Sequence, residues 1–218
     1  KALVICLALV TTSVLSKENI TNNISSVVYT KVASGCSPSI SKTDLDVNNV
    51  RTTIMAAGDM WWNLDDARYE IPKDGNKHSM FAGALWIGGV DDGGQLKVAA
   101  MTYRQSGNDF WPGPLNTTNA TISADECNKW DKHFKLERSE VEEHIARINV
   151  DPTYTPPASI LEWPAHGDPA QGQDEFLAPY YDVNGNGLYE PYDGDYPDYN
   201  ITGTNDDAKL FGDQTLFW

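Results

Sequence analysis

The chain has 218 residues, with 16 Lys+Arg against 31 Asp+Glu, a formal charge of −15 and a pI near 4.4. That acidic excess excludes the clustered cations that nucleic acid or an anionic membrane surface demands, and it fits an exterior protein or one whose carboxylates hold a hard cation. Seven Trp, ten Tyr and six Phe supply anchors for a sizeable core and exclude wholesale disorder.

Lys1 precedes an apolar run, Ala2 to Val10, and a small-residue exit, Thr11 to Ser16. A basic start, a short apolar stretch and a small-residue exit describe a secretory signal over residues 1–16. The run is shorter than the ~20 residues of a membrane span, so the mature protein is expected to have none. The competing reading is a buried strand. Export predicts a secreted or cell-surface location. Cys6 falls inside the signal, which leaves Cys36 and Cys127. In an oxidising compartment these either form one bridge, contributing about 4–5 kcal/mol for so long a loop, or stay as two buried thiols. No Cys-x-x-Cys and no Cys/His cluster has zinc spacing.

Residues 17–45 are polar and read as a leader or an edge strand. Residues 46–218 read as one β-rich extracellular module. Val50, Thr52, Ile54 and Ala56 alternate as a strand does; Tyr69 and Ile71 precede Pro72. Met80–Gly88 and Gln95–Tyr103 read as two strands. Gly89-Val90-Asp91-Asp92-Gly93-Gly94 between them tolerates positive φ, which predicts a hairpin. A helical insertion follows over 123–149. Ser123-x-x-Glu126 is a capping box ahead of Cys127, Trp130 and Phe134, and Ser139-x-x-Glu142 is a second ahead of Val141, Ile145 and Ile148. The fold class expected is mainly β or α+β: an antiparallel sheet or sandwich with a two-helix insertion and a calcium-binding loop.

Twelve of the 31 acids fall in residues 162–213, with Lys209 the single base among them. Such a density must be solvated or neutralised by cations. Within it, Asp182-Val183-Asn184-Gly185-Asn186-Gly187-Leu188-Tyr189-Glu190-Pro191-Tyr192-Asp193 matches D-x-[DN]-x-[DN]-G with an acid at position twelve. A calcium loop needs oxygens at positions 1, 3 and 5, here Asp182, Asn184 and Asn186. Gly187 permits the turn, Leu188 offers a carbonyl and Asp193 closes the loop. Glu190 and Asp195 are further acids for position 9 or a second ion. Asp at position twelve suits a dockerin-like loop, and Pro191 opposes an exit helix. Calcium is therefore the expected cofactor; the competing reading is a metal-free Asn-Gly turn.

Enzyme signatures are thin, and no catalytic residue is assigned. The four His never pair as His-x-x-x-His, and no nucleophile elbow, P-loop or dinucleotide fingerprint occurs. Glu142, Glu143 and His144 read as a solvated helix face, and His166 as a loop histidine bonded to the backbone. Trp61, Trp62, Trp86 and Trp111 either line a glycan groove or belong to the core.

Residues 45–115, LDVNNVRTTIMAAGDMWWNLDDARYEIPKDGNKHSMFAGALWIGGVDDGGQLKVAAMTYRQSGNDFWPGPL, resemble the amino-terminal region of large type IX secretion substrates. These are surface proteins of gliding-type Gram-negative bacteria with a type A sorting domain at the far carboxyl end. The resemblance continues through ADECNKWDKHFKLERSEVEEHI and WPAHGDPAQGQDEFLAPYYDVNGNGLYEPYDGDYP to GDQTLFW. It implies a fragment of a longer surface protein, whose sorting domain lies elsewhere, and secretion machinery as a partner. The expected function is a non-enzymatic structural or adhesive module, calcium-stabilised, partnered by self-association or by other surface proteins. The rivals are a glycan-binding module and the non-catalytic amino-terminal region of a secreted enzyme.

Overall fold

The computed structural model describes residues 36–101, 109–198, 200–202 and 209–218. The expected signal, Cys6 and all but the end of the leader lie outside these. The architecture is mainly antiparallel β with three helices. No helix among the described residues is long and apolar enough to cross a membrane.

The amino-terminal half is organised by β2 (Arg51–Met55), whose β-branched Thr52, Thr53 and Ile54 suit a pleated surface. It pairs on one edge with β1 (Lys42–Leu45) and on the other with β3 (Asp59–Met60) and β4 (Tyr69–Glu70). The sheet is completed by β5 (His78–Met80) on β4 and β6 (Gly83–Ala84) on β3. Thr52, Thr53 and Met55 are all buried, so the expected alternation is lost in this central strand. Gly58 turns the chain between β2 and β3 at φ +87°, and a Cβ there would lie 3.1 Å from the Phe110 ring.

The expected strand over Met80–Gly88 is broken into β5, β6 and β7 (Trp86–Val90). Gly83 passes so close to the Trp61 ring that a Cβ would sit 2.7 Å from it, and the chain bends there. The expected hairpin is present: β7 pairs with β8 (Leu96–Ala100) from Trp86↔Ala100 to Val90↔Leu96. Asp91 Oδ1 accepts the Gln95 N–H at 2.8 Å and closes the turn.

Helix α1 (Ala124–Trp130) starts where expected, with Ser123 Oγ accepting the Glu126 N–H at 3.2 Å. Phe134 does not continue it. It opens β9 (Phe134–Glu137), which pairs with the strand Gln214–Phe217, so Phe134 lies opposite Phe217. Helix α2 (Arg138–Arg147) begins before the expected second box, because Glu140 Oε2 accepts the Glu137 N–H at 2.9 Å and caps the start two residues earlier. Its buried residues are Val141 and His144, while Ile145 is 45% exposed. The expected apolar stripe therefore gives way to one carrying a histidine. A third helix, α3 (Ala158–Leu161), was not anticipated.

Cys36 and Cys127 form a disulfide, with Cα atoms 5.8 Å apart. Asp131, just past α1, reinforces the tie by accepting the Ile40 N–H (3.2 Å), the Ser41 N–H (3.1 Å) and the Ser39 hydroxyl. The second core gathers Leu136, Val141, Ile160, Trp163, Ala165 and Ala178, with Tyr180, Tyr189 and Tyr196 packed on it.

Candidate functional site

Residues 182–195 lie against this second core between two short strands, β10 (Tyr180–Tyr181) and β11 (Tyr196–Pro197). Their antiparallel pairing brings the loop's ends together. Four side-chain oxygens then fold the first half. Asp182 Oδ1 accepts the Gly185 N–H at 2.6 Å, and its Oδ2 accepts the Gly187 N–H at 2.7 Å. Asn184 Oδ1 accepts from Asn186 (3.0 Å) and Asn186 Oδ1 from Leu188 (2.8 Å). These are the local bonds that Asx residues form in turns. Gly185 and Gly187 adopt φ +74° and +83°, and nothing would meet a Cβ at either, so their glycines answer to backbone shape alone. The Gly187 N–H above all, then those of Gly185, Asn186 and Asn184, hold the Asp182 carboxyl below the usual range.

The loop is fastened from beneath by Asp195, which is fully buried. Its Oδ1 accepts the Val183 N–H and its Oδ2 the Glu190 N–H, both at 2.8 Å. One carboxylate thus staples both sides of the loop. Its backbone carbonyl accepts from His144 Nε2 at 3.1 Å, which ties the staple to α2. Burial pushes the His144 imidazole below its ordinary pKa, against the opposing pull of Asp195. Tyr180 donates to the Gly187 carbonyl (3.0 Å), and Tyr189 donates to the Ile160 carbonyl (2.7 Å) from a site whose burial raises its pKa. The aromatic residues around the loop are hydrogen-bonded struts as well as core.

The sequence-predicted ligands are brought together in part. Asp182, Asn184 and Asn186 share one folded half-loop with Gly187 at its turn. Glu190 Oε2 accepts from Asn186 Nδ2 at 2.6 Å and so joins them. Leu188 offers its N–H to Asn186 within the same loop. Asp193 stands in a short 3₁₀ turn, Pro191–Asp193, at an exposed position. Asp195 spends its carboxylate on backbone N–H groups. Among the described residues no three of His, Cys, Asp and Glu cluster as a metal group. The amino-terminal half of the loop therefore carries the side-chain oxygens of Asp182, Asn184 and Asn186 on one folded backbone.

Other expected residues also find places. His166 lies in its loop as expected, its Nδ1 donating to the Glu175 carbonyl at 2.9 Å. His144 departs from the solvated face assigned to it: Glu142 and Glu143 are exposed, but His144 is wholly buried. Trp62 is core at 1% exposure, and Trp86 is 70% exposed. Trp111 lines an apolar cavity of about 400 Å³ with Trp130, Trp218, Phe110 and Phe217. Ser41 Oγ and His133 Nδ1 are 2.9 Å apart. Asp131 accepts the backbone N–H groups of Ile40 and Ser41, so Asp131 and His133 together hold the 39–41 segment.

The roles of Asp195 and His144 had no local sequence signal, apart from His144 lying three residues after Val141. The chain matches no protein-family model, no curated protein and no solved structure. Its own geometry carries the functional argument.

Proposed function

We propose that this chain is a non-enzymatic structural or adhesive module of a secreted or cell-surface protein, stiffened by calcium at residues 182–193 and exported by a type IX-like route. The observation that carries the reading is the half-loop of Asp182, Asn184 and Asn186, already folded on its own backbone and stapled by Asp195 to the core. A preorganised oxygen-rich loop loses little conformational freedom when a hard cation binds. Asp182, Asn184 and Asn186 would hold the ion with their remaining lone pairs, Leu188 would add its carbonyl, and Asp193 or Glu190 would supply further charge. The ion would neutralise part of an acidic segment that otherwise repels itself.

The test is thermal melting with chelator, calcium or magnesium. Calcium at a hundredfold excess over its Kd should add about 2.7 kcal/mol of stability. Magnesium should substitute poorly, because it requires tight octahedral geometry and gives up its waters reluctantly. Asp182→Ala should remove most of the calcium response, and Asp198→Ala should retain it. A melting temperature indifferent to chelation, with no metal by elemental analysis, would reduce the loop to a self-supporting acidic turn.

A second reading, glycan binding, is favoured by one observation: the exposed mouth of the aromatic cavity beside Trp111. Aromatic faces stack on sugars. Titration with soluble glycans, followed by tryptophan fluorescence in wild type and Trp111→Ala, separates it from the main reading.

A further inference from the structure

The β7–β8 hairpin is built inside out. Trp86 is 70% exposed, Ile87 55%, Val90 69%, Leu96 72% and Val98 60%. Cross-strand partners share a face, so the pairs Trp86↔Ala100, Gly88↔Val98 and Val90↔Leu96 make one face wholly apolar. A contiguous apolar patch on a monomer's surface is commonly a functional one. The hairpin is also a two-stranded sheet of its own, and two strands alone are marginal in water.

Its two edges differ. Ala100 directs its backbone outward on the β8 side, where its N–H reaches Asp109 Oδ2 (3.2 Å) and its carbonyl accepts the Asp109 N–H (3.3 Å). The β8 edge is thereby closed at its base, and it carries Lys97. Antiparallel ladders alternate inward and outward pairs, so Trp86, Gly88 and Val90 direct their N–H and C=O outward on the β7 side. Among the described residues no strand pairs with that edge. The β7 sequence, Trp-Ile-Gly-Gly-Val, has no charge, proline or bulge of the kind that normally protects an edge.

We infer that the β7 edge is a self-association surface whose occupant is the β7 strand of a second copy, paired antiparallel across a two-fold axis at Gly88. In that register Gly88 faces Gly88 of the second copy, and Trp86 faces Val90. Every outward N–H and C=O of β7 is then satisfied, and the two apolar faces join into one four-stranded strip. Charge selects this place. The chain carries −15 overall, so most of its surface repels a second copy. The hairpin's ionic groups are confined to its turn end, where Lys97 pairs with Asp91 at 3.3 Å, leaving the β7 edge neutral. An edge-to-edge contact about a two-fold axis is self-complementary by construction, and it closes at two copies. The inference is independent of calcium.

The experiment is sedimentation of the full secreted chain from low to high micromolar concentration, with Val90→Lys and Val150→Lys as variants. Val150 is also exposed, at 76%, but lies beyond α2. The expected result is a concentration-dependent dimer that Val90→Lys weakens at least tenfold and Val150→Lys leaves unchanged. A Gly88→Cys variant checks the register, since a Cβ there meets nothing closer than 3.8 Å. A short bis-maleimide should join Gly88→Cys chains efficiently and Val150→Cys chains poorly. A monomer at every concentration would overturn the inference. So would a dimer equally insensitive to both lysines, or one that cross-links no better through position 88 than through 150.

Discussion

In the 182–195 loop a carboxylate, Asp195, is sealed from solvent, whereas in the β7–β8 hairpin a tryptophan, Trp86, is 70% exposed. Residue polarity alone would place both the other way round. The difference lies in what each region supplies. Around Asp195 the chain brings two backbone donors to the two carboxylate oxygens, so burial leaves neither oxygen without a donor. Around Trp86 no second layer is supplied among the described residues, and the side chain stays 70% exposed although its indole N–H donates to the Met101 carbonyl at 2.9 Å. Burial in this molecule follows the partners available to a side chain, not its hydropathy.

The disulfide sets the scale against which both regions are measured. Cys36→Ser should cost about 4–5 kcal/mol in urea denaturation, because the bridge closes a loop with a sequence separation of 91. The Asp131 clamp should keep the 39–41 segment in place in the native state, so hydrogen exchange there should rise only modestly.

Asp195→Ala is the next largest effect and the sharpest test of the comparison. It strands the Val183 and Glu190 N–H groups, and at about 1–3 kcal/mol for each unsatisfied group it should cost roughly 2–6 kcal/mol. If it costs no more than a change on the hairpin face, the hydrogen-bond account of the loop fails.

A pH titration probes the same staple from the histidine side. His144 has a folded pKa below its unfolded value, chiefly through burial, and the same holds for His133. Their contribution is fully present above the unfolded value near 6.5 and is lost as pH falls through the lower folded values. Melting temperature should therefore decline between pH 7 and 5, and His144→Gln should flatten that slope. Carboxylates held below their usual range, Asp46 by Lys135 and Asp182 by Gly187, act only at lower pH.

The smallest effect belongs to the hairpin. Val98→Thr, on an exposed face, should change monomer stability by no more than about 0.5 kcal/mol. A loss above 2 kcal/mol would mean that this face is already covered within the monomer.

Features that depend on residues three to five apart were legible in the amino-acid order. The Asp-Asp-Gly-Gly turn of the hairpin, the Ser123 cap and the Asx bonds of the 182–188 half-loop each close within a few residues. They form wherever the local types permit. The two cysteines were legible as candidates, with their pairing open. The rest needed the chain folded. Phe134 has helical spacing from Trp130 yet becomes a strand residue, because its partner is Phe217 at the far end of the chain. His144 follows two glutamates and is nevertheless buried, because an acceptor arrives from a residue 51 positions away. Asp195 looks like one more acid in an acidic run, and only the pairing of β10 with β11 brings the two N–H groups to its carboxylate. Spacing along the chain encodes bonds that close within a turn. Which polar group can afford burial is decided by donors and acceptors that distant segments deliver, and that is a property of tertiary structure.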